Sequence, residues 1–187
     1  MQDWLVAIED LREYLYIDEN DLLREKCSNM DYLNELIAEG ERLLWKYQDE
    51  DRMKVSGLLG NLYRLKGDFE VALPYLERYQ DYCRDTESDE TYTLALLRYA
   101  EGLKYARQYE DALGYFKQVI ERCESLNIEQ YENLAWQHIG KCYVEMGDMK
   151  QAESCFLKAM LLRKKMNDPK LLVASERALN FIMKIKM

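Results

Sequence analysis

The chain has 187 residues, a formal net charge of −9 and a mean hydropathy of −0.51. No apolar run approaches the roughly 18 residues a membrane-spanning helix needs, and the opening Met1-Gln2-Asp3 lacks the basic and apolar regions of a secretory leader. Five cysteines without a CxxC pair read as buried thiols of a reducing, cytoplasmic setting, and one histidine, His138, excludes a multi-histidine metal centre.

The charge is uneven. Residues 1–50 carry 14 acids against 5 bases, whereas residues 51–187 carry 21 of each. An acidic segment repels phosphate, so no nucleic-acid partner is expected; a basic protein suits that face. Within it, Trp4, Ile8, Leu11 and Leu15 fall on one helical stripe. Asp18 or Asn20 offers a cap for a helix carrying Leu22, Leu23 and Cys27, and Ser28 or Asn29 offers another for Leu33, Leu36, Ile37, Leu43 and Leu44. Alternating strand patterns are absent. The spacing predicts three helices in 1–50, a degenerate part of the same helical stack as the rest.

From about residue 52 the punctuation sharpens. Helices are predicted over about 52–65, 69–84, 89–106, 109–125, 129–146 and 149–166, with turns at Gly67-Asp68, Thr86–Asp89, Leu126–Ile128 and Gly147-Asp148. Asp168 reads as the cap of a last helix that begins at Pro169.

A pattern returns every 40 residues without a slip. Ser56, Leu59, Gly60, Tyr63, Ala72 and Leu76 are followed by Leu96, Tyr99, Ala100, Leu103, Ala112 and Phe116, then by Trp136, Ile139, Gly140, Tyr143, Ala152 and Phe156. The small residues mark where paired helices touch, and the large ones fill space around each contact. Such a period means stacked units rather than one globular core.

These residues resemble the tetratricopeptide repeat, whose signature is W-x2-L-G-x2-Y followed by A-x3-F. The third unit matches as Trp136-x2-Ile139-Gly140-x2-Tyr143 and Ala152-x3-Phe156. The first has Ser56 in place of the tryptophan, and the second has Ala100 in place of the glycine. The usual period is about 34 residues; the longer one here resembles Rap-type regulators and peptide-pheromone receptors of Gram-positive bacteria and the Leu-Gly-Asn repeat adaptors of animals. The resemblance implies an all-α, right-handed superhelical stack of antiparallel helix pairs. Its repeats are expected at about 53–92, 93–132 and 133–168 within 51–187, with a capping helix over 169–187.

The resemblance also implies that the first helix of each pair lines a concave groove. Helical phase then places Asn61, Arg64, Arg98, Glu101, Lys104, Tyr105, Gln137, His138 and Lys141 on that inner wall. The stripe is locally basic inside an acidic protein. It suits an extended peptide with acidic groups or a C-terminal carboxylate, and the acidic N-terminal segment is an internal candidate to fill part of it. No phosphate loop, nucleophile elbow or paired-carboxylate motif occurs, so neither catalysis nor a cofactor or metal is expected. The leading expectation is a protein- or peptide-binding scaffold. An acidic inhibitor of immunity type, masking a basic toxin or nuclease, and a peptide-sensing regulator are the alternatives.

Overall fold

The computed structural model describes residues 1–167 and 169–186. Helix α1 (Gln2–Asp10) leads through a 3-10 turn into an antiparallel hairpin, β1 (Leu15–Asp18) and β2 (Arg24–Cys27), with Leu15 opposite Cys27 and Asp18 opposite Arg24. Seven helices follow as α2 (Met30–Lys46), α3 (Asp49–Lys66), α4 (Phe69–Thr86), α5 (Asp89–Tyr105), α6 (Tyr109–Leu126), α7 (Glu129–Glu145) and α8 (Met149–Met166), and α9 (Pro169–Lys186) closes the stack. The expected cap Asp168 lies outside the described residues.

Consecutive helices pack as antiparallel neighbours, and α3, α5 and α7 also touch one another along the inner side. The small slots are where the sequence puts them. Ala72, Ala100, Ala112 and Ala152 are all buried, and a Cβ on Gly140 would sit 2.4 Å from the Phe156 ring. Helix α7 thus approaches α8 more closely than any side chain in that slot allows. The turns repeat as well. Gly67 and Gly147 end α3 and α7 in the left-handed region, as helix C-termini favour. Arg107, in the equivalent slot 40 residues from each, adopts the same conformation (φ 63°) without the glycine. All five cysteines are free and buried.

The N-terminal quarter departs from the expected three helices. Residues 15–27 form the hairpin instead, and Asp18 caps its 3-10 turn by accepting from the Asn20 amide. Helix α2 begins after Asn29, whose side chain accepts from the Tyr32 amide. The reason is long-range. Leu23, 1% exposed, joins the core at the opposite end of the chain, packing with Val144, Phe156, Ala178, Phe181 and Ile182. That burial outweighs a helical spacing of apolar residues that local propensity supports only weakly. Helix α1 is anchored separately, with Trp4 Nε1 donating to the Leu36 carbonyl at 2.9 Å.

Candidate functional site

The nine predicted groove residues lie on α3, α5 and α7, and α5 packs against both of the other two. Their charges meet at Glu101, whose carboxylate lies 2.9 Å from Arg98, 3.5 Å from Arg64 and 3.9 Å from His138 Nε2. Burial works to raise the Glu101 pKa, but the surrounding cations, Arg64 foremost and then Arg98, hold it well below the usual carboxylate range. His138 stacks flat on Phe116, with centroids 5.6 Å apart. Burial drives its pKa well below 6.5, and Lys141, Lys104 and Arg98 add to that against Glu101, so the ring is neutral at pH 7.

The hairpin lies over part of this wall. The Arg24 guanidinium pairs with Glu145, its Nε at 3.2 Å from Oε2, and Nη1 lies 3.4 Å from the Tyr105 carbonyl oxygen. Glu25 accepts from Arg64 at 3.1 Å, and the Glu25 amide donates to the Tyr105 hydroxyl at 2.7 Å. Tyr109 donates to Glu145 at 3.0 Å. Arg64, Lys104 and Tyr105 are consequently covered, with Lys104 wholly buried. Its ammonium is 3.8 Å from Glu145. Burial first, then the Lys141 charge, lower its pKa to about 7, against the pull of Glu145 and Glu101.

Lys104 therefore links stability to pH. The folded chain sheds this proton near pH 7, whereas an unfolded chain keeps it to 10.5. Between those values the unfolded state binds more protons, so stability rises with pH. Lys104→Met is expected to stabilise the protein at pH 6–7 and to flatten the rise between pH 7 and about 9, read by thermal melts across that range. A variant that melts lower than wild type at pH 6 counts against a costly buried ammonium.

The remainder of the wall borders an open cavity of about 260 Å³. Arg98, Glu101, Gln137, His138 and Lys141 line it, with Ile17 and Glu25 of the hairpin on one side and Ala174 and Arg177 of α9 on the other. Gln137 accepts from Arg163 at 2.9 Å, which fixes its amide. Lys141 is 7% exposed and makes no direct hydrogen bond or ion pair among the described residues; burial lowers its pKa, against the more distant pull of Glu25 and Glu101. The buried Nδ1 of His138 is also without a hydrogen-bond partner. Asn61 falls away from this cavity. It accepts from Arg64 at 3.5 Å and lines a second opening of about 520 Å³ with Met1, Leu5, Gly57 and Arg98. Sequence reasoning missed Arg24 and Glu25, the hairpin residues that engage the wall. The Leu15-Tyr16-Ile17 run ahead of Asn20-Asp21 was the available strand-and-turn signal. Among the described residues no cluster of ligands fit for a metal ion occurs, and no helix is long and apolar enough to cross a membrane.

Stacked helix pairs that share a continuous inner wall define a helical-repeat scaffold for protein interaction. Residues 56–90, 94–123 and 134–166 each match a model of the tetratricopeptide repeat, together more than half of the chain. The chain belongs to the tetratricopeptide-repeat family. Among solved structures it resembles the apo form of RapI (TM-score 0.70, 17% identity), covering 98% of this chain and 62% of that one. It also resembles a Rap protein complexed with competence and sporulation factor (TM-score 0.70, 19% identity, 82% of this chain and 44% of that one). A third is aspartyl phosphate phosphatase F from Bacillus subtilis (TM-score 0.62, 20% identity, 80% and 38%). The chain thus spans about three fifths of RapI and less of the other two, and the likeness is one of fold. No curated protein sequence matches it.

Proposed function

We propose that the chain binds a protein or peptide on its concave side, with a carboxylate of the partner seated in the cavity between α5, α7, α9 and the hairpin. One observation carries this reading: Lys141 is buried at the cavity wall and makes no direct ion pair or hydrogen bond among the described residues, with Glu25 and Glu101 acting on it only from a distance. An ammonium removed from water and left unpaired is costly, and an incoming carboxylate offsets that cost. Arg98 stands at the mouth as a second cation, and the neutral His138 and Gln137 supply polar edges. Leu97, Leu134 and Ala174 give the cavity apolar walls for the side chain next to the carboxylate. A Rap protein solved with competence and sporulation factor has the same fold, which supports a peptide as the kind of partner.

The test is display of a library of peptides with free C-termini, followed by affinity measurement of the enriched sequences. Arg98→Ala with Lys141→Ala, or amidation of the peptide terminus, is expected to weaken binding at least about tenfold, since each removes a charge-assisted contact. Selected peptides that bind the double variant with unchanged Kd overturn the assignment.

A further inference from the structure

A two-stranded ribbon with four residues per strand is marginal in water by itself. This one also turns through two successive leucines in the left-handed region, Leu22 (φ 51°) and Leu23 (φ 63°). That conformation is sterically costly for a residue with a Cβ. The hairpin persists because the groove holds it, and it is held by specific side chains. Leu23 fills the apolar socket of α7, α8 and α9; Arg24 meets Glu145 and the Tyr105 carbonyl; Glu25 meets Arg64 and the Tyr105 hydroxyl.

The fit is nevertheless incomplete. Cavities of about 260 and 280 Å³ lie along the hairpin, the second bordered by Arg24, Lys26, Arg64 and Phe69. On the groove wall, Arg64 Nη1, Lys104 Nζ and Glu145 Oε1 are buried and, among the described residues, meet loose ion-pair contacts of 3.5 Å (Arg64 to Glu101) and 3.8 Å (Lys104 to Glu145) in place of hydrogen bonds. Buried charged atoms are normally satisfied, and each that is not weakens the contact around it.

We infer that the wall beneath the hairpin is a docking site for an extended partner segment of the order apolar–arginine–acid, and that Leu23, Arg24 and Glu25 are its displaceable internal occupant. The inference rests on the reading that partners enter from the concave side, but it uses a different set of contacts from the carboxylate cavity. A partner segment places an apolar side chain, a guanidinium and a carboxylate in the same three sockets without the left-handed leucines. It also has freedom to supply the donors and acceptors that the hairpin leaves out. The hairpin competes at high effective concentration because it is tethered. Apparent affinity for the partner is therefore reduced by the fraction of molecules in which the hairpin is docked.

The probe is a labelled peptide with the sequence of residues 21–26, acetylated and amidated so that no free terminus enters the cavity. It is titrated into the full chain by fluorescence anisotropy. Arg24→Ala removes the internal guanidinium and is expected to bind the probe at least about tenfold more tightly than wild type does. Leu22→Gly, at an exposed turn position, relieves the strain and is expected to bind it more weakly than wild type. Should Arg24→Ala fail to fold, the Leu22→Gly comparison and amide exchange on wild type decide the matter. Hairpin amides are expected to exchange at least about tenfold faster than those of α5 and α7. Equal probe affinity in wild type and variants, no binding to any, or hairpin amides that exchange only with global unfolding overturns the inference. Because the probe has no free terminus, its failure leaves the carboxylate reading standing, and failure of the free-terminus peptides leaves this one standing.

Discussion

Arg163→Ala is expected to lower the unfolding free energy by about 3–4 kcal/mol, measured by urea denaturation with helical circular dichroism as the signal. Arg163 is 2% exposed. Its Nε donates to Asn133 Oδ1 at 2.9 Å, and its Nη1 lies within hydrogen-bonding reach of Gln137 Oε1 (2.9 Å), the Leu171 carbonyl (3.1 Å) and Ser175 Oγ (2.8 Å). Those groups belong to α7 and α9, while Arg163 belongs to α8, so one guanidinium joins three helices. Asn133 and Ser175 have no exposure of their own and cannot turn to water instead. Truncation leaves several buried acceptors short of a donor, and each costs about 1–3 kcal/mol before relaxation. The cavity left by the long side chain adds to the loss. Arg163→Lys is expected to recover less than half, because a single ammonium cannot reproduce a forked set of donors. A loss below about 1 kcal/mol for Arg163→Ala would show that α9 is held mainly by Ala178, Phe181 and Ile182.

Arg163 also marks a boundary in what the sequence discloses. Within Arg163-Lys164-Lys165 it looks like one of three cations at a helix C-terminus, where positive charge is favourable anyway. Nothing local separates the buried one from its solvated neighbours. The repeat slots are different. Gly140 and Ala152 must be small because a helix lies against each, and that demand recurs at a fixed spacing, so it is written into the sequence three times. Arg107 shows how firmly the repeat sets the backbone, since it takes the left-handed turn that Gly67 and Gly147 take. Helical phase likewise suffices to put Arg98, Glu101, His138 and Lys141 on one wall. Phase cannot reveal that Glu101 gathers three of the basic side chains around itself while Lys141 makes no direct ion pair among the described residues. The hairpin was least legible. Its deciding contact, Arg24 with Glu145, joins residues 121 apart, and the apolar spacing of Leu22, Leu23 and Cys27 fits a helix as well as a strand.

That distant contact leads to the second large effect. Arg24→Ala is expected to cost about 2–3 kcal/mol of stability, and the pair Arg24–Glu145 to show a coupling of about 2 kcal/mol in a double-mutant cycle. Glu145 has a side chain only 2% exposed, so losing Arg24 leaves a buried carboxylate that keeps, among the described residues, the Tyr109 hydroxyl as its hydrogen-bond donor and the looser Lys104 ion pair at 3.8 Å. Breaking a buried pair from one side usually costs about 3–5 kcal/mol. The figure here is smaller because the hairpin can lift and return Glu145 to water, which caps the loss at the hairpin's own docking free energy. Glu145→Ala strands the guanidinium instead, though the Tyr105 carbonyl still lies within reach of it and Lys104 can shed its proton. Removing both charges restores neutrality, so the double variant is expected to lose less than the sum of the single losses. Arg24→Met with Glu145→Leu is expected to fall within about 1 kcal/mol of wild type, since apolar replacements avoid the desolvation both ions suffer. Urea melts of the four cycle members and this apolar pair give the numbers. Strict additivity would mean that Arg24 is held by the wall's general shape rather than by Glu145, and the hairpin would then have no charge-specific seat in the groove.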